Sequence, residues 1–255
     1  MSLLAAARRL ARTSLPEPLA YAARGRALGL TALVGDRYGL GRRATWELFG
    51  DLQRVADHVP CGHGEPEILE VIQAILTTPV HVPGMVVEAG CWKGGSTCKL
   101  SLAAARVGRP LRVYDSFEGI PDHDEGSTPN LGGHEVTFTP GTYAGSLEEV
   151  RGHVDRFGRL AGTEFVPGWF EDTLPGHREP VAVAYLDVDL VSSTLTCLEH
   201  LWPHLSPGGV IFSQDGHLQN VLDALADDHW WMTRFGHRAP PVTGAGHKKL
   251  VSIRR

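Results

Sequence analysis

The run VAVAYL at 181–186 is six apolar or aromatic residues in succession, and it ends on two aspartates in 187-DVD-189. A strand wetted on one face alternates apolar with polar residues, whereas a strand covered on both faces reads as an unbroken apolar run. Comparable strands are expected at 85–87 (MVV), 111–114 (LRVY), 163–166 (TEFV) and 209–213 (GVIFS), with a last one in 249-KLVSIRR-255. Between them lie segments of helical character. Residues 65–76 put Ile68, Leu69, Ile72, Ile75 and Leu76 on one face, and helices are predicted over 96–105, 147–157, 192–204 and 218–227. Strands alternating with helices give an α/β fold, a Rossmann-like, mostly parallel sheet with helices on both faces. The stretch 118–142 is rich in glycine and proline and reads as a long loop or insertion, long enough to close over a substrate.

The first 60 residues read differently. Residues 1–43 carry eight arginines against Glu17 and Asp36. Apolar residues recur there at helical spacing, so an N-terminal helical arm outside the core is expected over 1–60 and the main domain over 61–255. The arm is open to use as a lid, a dimer contact or a solvated face.

Bulk properties exclude some classes. A net charge of −5 argues against nucleic-acid binding by bulk charge. No apolar run reaches the length of a membrane span. Cys61, Cys91, Cys98 and Cys197 show no CxxC or metal-finger spacing, which fits free thiols in a reducing, cytoplasmic setting. A homodimer is a further expectation.

In an open α/β sheet, ligands lie beyond the carboxyl ends of the strands. After the first strand come Glu88, Gly90, Gly94, Gly95, Ser96 and Thr97. This turn lets backbone and a helix start approach an anionic group closely. Its pattern, E-x-G-x-x-x-G-G, is not the G-x-G-x-x-G of a dinucleotide site. After the second strand, Asp115 with Ser116 stands 27 positions beyond Glu88, about where such folds place the acid that binds a ribose diol. The pair suggests a nucleoside-bearing cofactor without a long pyrophosphate cradle, and S-adenosylmethionine fits. Trp169 and Phe170 in 168-GWFEDTLP-175 are candidates to sandwich its adenine, or else core aromatics. Asp187 and Asp189, at i and i+2, are expected on one side of the strand end. Gln214 and Asp215, after GVIFS, add oxygen donors. An all-oxygen set suits Mg²⁺ over zinc; a salt-bridged or water-bound acid pair is the plainer reading. His217 is a substitute ligand or base, or simply a solvated histidine.

Together the blocks VVEAGCWKGGS, VYDSFEGIP, GWFEDTLP, LDVDLVSSTLTCLEHLWPHLSPGGVIF and KKLVSI resemble the macrocin O-methyltransferase family, over about residues 60 to 255. The resemblance implies a methyltransferase that uses S-adenosylmethionine and Mg²⁺ to methylate a hydroxyl of a small molecule, often a sugar of a secondary metabolite such as an antibiotic. It implies Glu88, Gly90 and Ser96 at the methionine end of the cofactor, Asp115 and Ser116 at the ribose, and Trp169 and Phe170 at the adenine. It implies Asp187 as a metal ligand and Asp189 as general base. Where the family has an Asp-Asp pair of ligands this chain has Gln214-Asp215, which removes one charge from the metal site. A metal-independent methyltransferase, or a cofactor-binding protein without catalysis, is therefore the alternative. An NAD-dependent oxidoreductase is disfavoured by the glycine pattern.

Overall fold

A computed structural model describes residues 38–255. Six strands form one sheet: β1 (Met85–Ala89), β2 (Leu111–Asp115), β5 (Thr163–Pro167), β6 (Val181–Leu186), β7 (Leu205–Ser213) and β8 (Val251–Arg254). Their order is β5-β2-β1-β6-β7-β8. The first five run parallel, and β8 runs antiparallel to β7. The order reverses between β1 and β6, so the crevice opens above their carboxyl ends.

The period of two along each strand divides the core. Val86, Val113, Val183, Tyr185, Val210 and Phe212 pack under helices α1 (Arg42–His58), α2 (Glu65–Thr77), α3 (Gly95–Arg106) and α4 (Leu147–Phe157). Met85, Val87, Ala89, Ala184, Leu186, Ile211 and Ile253 face the opposite layer. That layer contains α6 (Val191–Leu201), α7 (Gln219–Leu225) and α8 (Asp228–Phe235). A short helix α5 (Phe170–Thr173) follows β5. Both faces are therefore covered, which is why VAVAYL has no polar residue.

Three details differ from the sequence reading. Residues 1–37 of the expected arm lie outside the described residues, but α1 is not outside the core. Its Leu48, Phe49, Leu52 and Val55 are buried, each side chain contributing about 1.5–3 kcal/mol relative to exposure. The arginine-rich composition hid a single apolar stripe. The strand read as 209–213 begins at Leu205; Pro207 and Gly208 sit where the β6–β7 register shifts, an irregularity that tolerates both residues. Helix α8 was not expected: the Asp227 side chain accepts N–H bonds from His229 and Trp230 and starts it. Its Trp231 is fully buried and donates Nε1–H to the Leu225 carbonyl at 2.9 Å, so this tryptophan is core.

The 118–142 segment is fastened down rather than free. It holds a small antiparallel pair, β3 (Thr128–Pro129) and β4 (Glu135–Val136). The Leu131 N–H donates to the His217 carbonyl at 2.9 Å. The Glu125 carboxylate accepts from the N–H groups of Val191 and Ser192 and from the Ser192 hydroxyl, at 3.0, 2.9 and 2.7 Å. It thus caps the start of α6, where a negative charge is favoured.

Candidate active site

A cavity of about 310 Å³ opens above the carboxyl ends of β1, β2 and β6. Gly90, Ser96, Asp115, Ser116, Trp169, Phe170, Asp187 and Asp189 all line it. Glu88, Gln214 and Asp215 are fully buried and are not among its lining residues; they stand behind the wall. Sequence reasoning did not single out several other liners: Cys61, Gly62, Trp92, Tyr143, Ser193 and Lys249. Their only signal was position, a loop or strand end brought to the crevice by the fold.

The turn after β1 is shaped by close approach. Gly90 has φ +80°, and a Cβ there would overlap the Asp187 carbonyl oxygen, so glycine is required for β1 and β6 to finish side by side. Beneath it, Glu88 has neither carboxylate oxygen hydrogen-bonded. The Ser96 and Thr97 hydroxyls face it, yet burial dominates and pushes its pKa up to about 8 from 4.5, with Asp115 and Asp187 adding repulsion.

This shift has a consequence for stability. Between pH 4.5 and about 8 the unfolded chain has released a proton that the folded chain keeps, so Glu88 destabilises the cofactor-free protein progressively as pH rises through that window. Glu88→Gln is expected to raise the thermal midpoint of the cofactor-free protein at pH 8. The gain is roughly 4–8 °C for about 2 kcal/mol, and it shrinks toward pH 5. Melting curves at the two pH values check it; a midpoint lowered at pH 8 would count against the burial argument.

At the end of β2, Asp115 accepts two short backbone bonds. Cys91 N–H reaches Oδ2 and Phe117 N–H reaches Oδ1, each at 2.6 Å. The carboxylate therefore ties the β1 turn to the β2 turn while Asp115 lines the cavity.

Three aspartates converge beyond β6 and β7. The carboxylates of Asp187, Asp189 and Asp215 each offer an oxygen, and these oxygens lie within 4.8 Å of one another. The strand-alternation argument for Asp187 and Asp189 is corrected here. Both lie past the end of β6, and Asp189 turns back by adopting φ +62°, a left-handed conformation that aspartate tolerates better than most residues. Asp215 Oδ2 holds that turn by accepting the N–H groups of Val188 and Asp189, both at 3.0 Å, while its Oδ1 is buried and unpartnered. Tyr185 donates its hydroxyl to Asp187 at 3.3 Å. Burial raises the pKa of all three acids, and mutual repulsion raises Asp187 and Asp189 further. Like charges this close need a cation or a shared proton. A divalent ion with hard oxygen ligands fits this donor set and Asp215's orphaned oxygen. Gln214 is buried beside them with both amide atoms unpartnered, leaving its oxygen available as a neutral donor. His217 lies outside both the three-aspartate cluster and the cavity lining.

Backbone strain marks the same place. The four described non-glycine residues with positive φ are Trp92, Phe117, Tyr143 and Asp189. Trp92, Tyr143 and Asp189 line the cavity, and Phe117 lies between Ser116 and Gly119, which also line it. Each such conformation costs on the order of 1–3 kcal/mol. His123 is used inside its own loop, contacting the Phe138 carbonyl at 3.0 Å, and His134 is exposed.

Sheet order, glycine turn and carboxylate-lined crevice define a Rossmann-like methyltransferase fold. The O-methyltransferase NovP aligns with a TM-score of 0.61 and 27% identity over 75% of this chain and 80% of that one. The calicheamicin methyltransferase CalS11 shares the fold with a TM-score of 0.57 and 17% identity over 96% and 95%.

The macrocin-O-methyltransferase (TylF) family model matches residues 66–230, and the chain belongs to that family. Among relatives, the 8-demethyl-8-(2,3-dimethoxy-alpha-L-rhamnosyl)-tetracenomycin-C 4'-O-methyltransferase of Streptomyces olivaceus is 40% identical over 65% of each chain. The mycinamicin III 3''-O-methyltransferase of Micromonospora griseorubida is 35% identical over 61% of this chain and 63% of its own. The chain thus spans just under two thirds of the length of these relatives. No described helix is long and apolar enough to cross a membrane.

Proposed function

We propose that this protein is an S-adenosylmethionine-dependent O-methyltransferase acting on a hydroxyl of a small molecule, a sugar of a glycosylated secondary metabolite, with Mg²⁺ assisting. One observation carries the reading: a single cavity is lined by the turn after β1, by Asp115 and Ser116, by Trp169 and Phe170, and by Asp187 and Asp189. The sugar as acceptor rests on the named activities of the tetracenomycin and mycinamicin relatives.

S-adenosylmethionine supplies a methyl group activated by a sulfonium charge. Gly90 and Ser96 receive its amino-acid end, with the unpartnered Glu88 carboxylate beneath them to answer an ammonium. Asp115 and Ser116 take the ribose hydroxyls, and Trp169 and Phe170 cover the adenine. Asp187 and Asp215 would hold Mg²⁺, with the Gln214 oxygen as a neutral third donor; bound there, the ion supplies charge that orients acceptor oxygens and lowers a hydroxyl's pKa. Asp189 lines the cavity and accepts the proton from the acceptor hydroxyl as its oxygen takes the methyl group. A carboxyl raised toward neutrality is the better base for an alcohol. Most of the acceleration comes from positioning and deprotonation.

Calorimetric titration with S-adenosylhomocysteine, with and without Mg²⁺, tests the reading. Tight binding is expected in both conditions. Absence of binding would overturn the cofactor assignment. The neutral Gln214 favours a second reading in which the metal is dispensable; turnover unchanged by a chelator would select it.

A further inference from the structure

Among the described cavity-lining residues Lys249 is the one basic side chain. It stands just ahead of β8, whose Val251 pairs with Ser213 at the end of β7. That register sets Lys249 over the Gln214-Asp215 turn. Its backbone is held there by Gly216: a Cβ on that glycine would lie 2.9 Å from the Lys249 carbonyl oxygen and would overlap Val251. Neighbouring side chains diverge. Lys248 points outward to a 2.9 Å ion pair with Glu70, whereas Lys249 turns into the cavity and makes no ion pair at that distance with any described carboxylate.

Lys249 lines the same cavity as Asp187 and Asp189, and its positive charge attracts all three aspartates at once. It also disfavours protonation of the nearby His63 and His217. With a neutral amide beside the three carboxylates rather than a fourth acid, one resident ammonium offsets one unit of their charge.

We propose that Lys249 is the protein's own counter-cation for the Asp187–Asp189–Asp215 cluster, and that it competes with a divalent metal for that charge. The inference rests on the methyltransferase reading only for the use to which the cluster is put. Lys249 offsets one of the cluster's negative charges whether or not a metal is bound. Asp189 can then receive the acceptor's proton while the oxygen–methyl bond forms and the sulfur–methyl bond breaks, its electron pair going to sulfur. The cost is a weaker hold on a divalent ion, since two positive centres then share one acidic pocket.

The test is Mn²⁺ binding, followed by the loss of free-ion electron paramagnetic resonance signal, in the parent, Lys249→Met and Lys249→Arg. Lys249→Met is expected to bind Mn²⁺ at least about tenfold more tightly than the parent. Lys249→Arg, which keeps the charge, is expected to resemble the parent and controls for packing. Equal Mn²⁺ affinity in the parent and Lys249→Met, or no binding by either, would overturn the proposal. S-adenosylhomocysteine titration of the same samples separates the two claims. Loss of cofactor binding in the parent would sink the methyltransferase reading, whereas normal cofactor binding with unchanged Mn²⁺ affinity would sink this one.

Discussion

Asp189→Asn is expected to bind S-adenosylhomocysteine as the parent does and to lose about 10²–10⁴-fold in turnover of any acceptor the parent methylates. That corresponds to about 2.7–5.5 kcal/mol of transition-state stabilisation. The substitution suits the question because the backbone should not move. The Asp189 N–H is held by Asp215 Oδ2 at 3.0 Å, and asparagine tolerates the left-handed conformation at φ +62° as well as aspartate does. Only the proton acceptor is removed. Asp189 shares a cluster with Asp187 and Asp215, so loss of turnover alone does not separate a base from a metal ligand. Divalent-ion affinity does. A base predicts turnover lost with Mn²⁺ affinity little changed; a ligand predicts both lost together. Full turnover would remove Asp189 from either role.

The parts of this molecule written in short-range pattern were readable. Strand β6 and helix α4 run over the residues predicted, 181–186 and 147–157, because an unbroken apolar run and a clear amphipathic period leave few alternatives. The glycine turn after β1 and Asp115 were legible for the same reason: each stands at the carboxyl end of a strand. Charge misled the reading of α1, whose four buried apolar residues sit among arginines and acids. What pattern cannot supply is convergence. Lys249 enters the cavity only because β8 turns antiparallel beside β7 and Gly216 leaves room for its backbone. Trp92 and Tyr143 meet edge to face at 5.9 Å from loops 51 positions apart. Glu88 stands one layer further back, under the cavity floor, where burial raises its pKa in the cofactor-free protein.

Asp115→Asn carries the second large effect, and its interpretation turns on the two backbone bonds that this carboxylate already accepts. An asparagine keeps one acceptor oxygen and directs an amide N–H group at the other donor. Either the Cys91 or the Phe117 N–H, both now at 2.6 Å, loses its partner, at about 1–3 kcal/mol. A fall of several degrees in the thermal midpoint is therefore expected even without ligand. S-adenosylhomocysteine affinity should fall about 100-fold, the scale of losing charge-assisted bonds to a diol. A weakened turn alone would also lower affinity, so a second ligand decides. The 2',3'-dideoxy analogue of S-adenosylhomocysteine has no diol for Asp115 to hold. If Asp115 binds the ribose, the parent discriminates strongly between the two ligands and Asp115→Asn loses most of that discrimination. If both ligands weaken equally in the variant, Asp115 shapes the two turns and the ribose is held by another group, with Ser116 the nearest candidate on the same strand end.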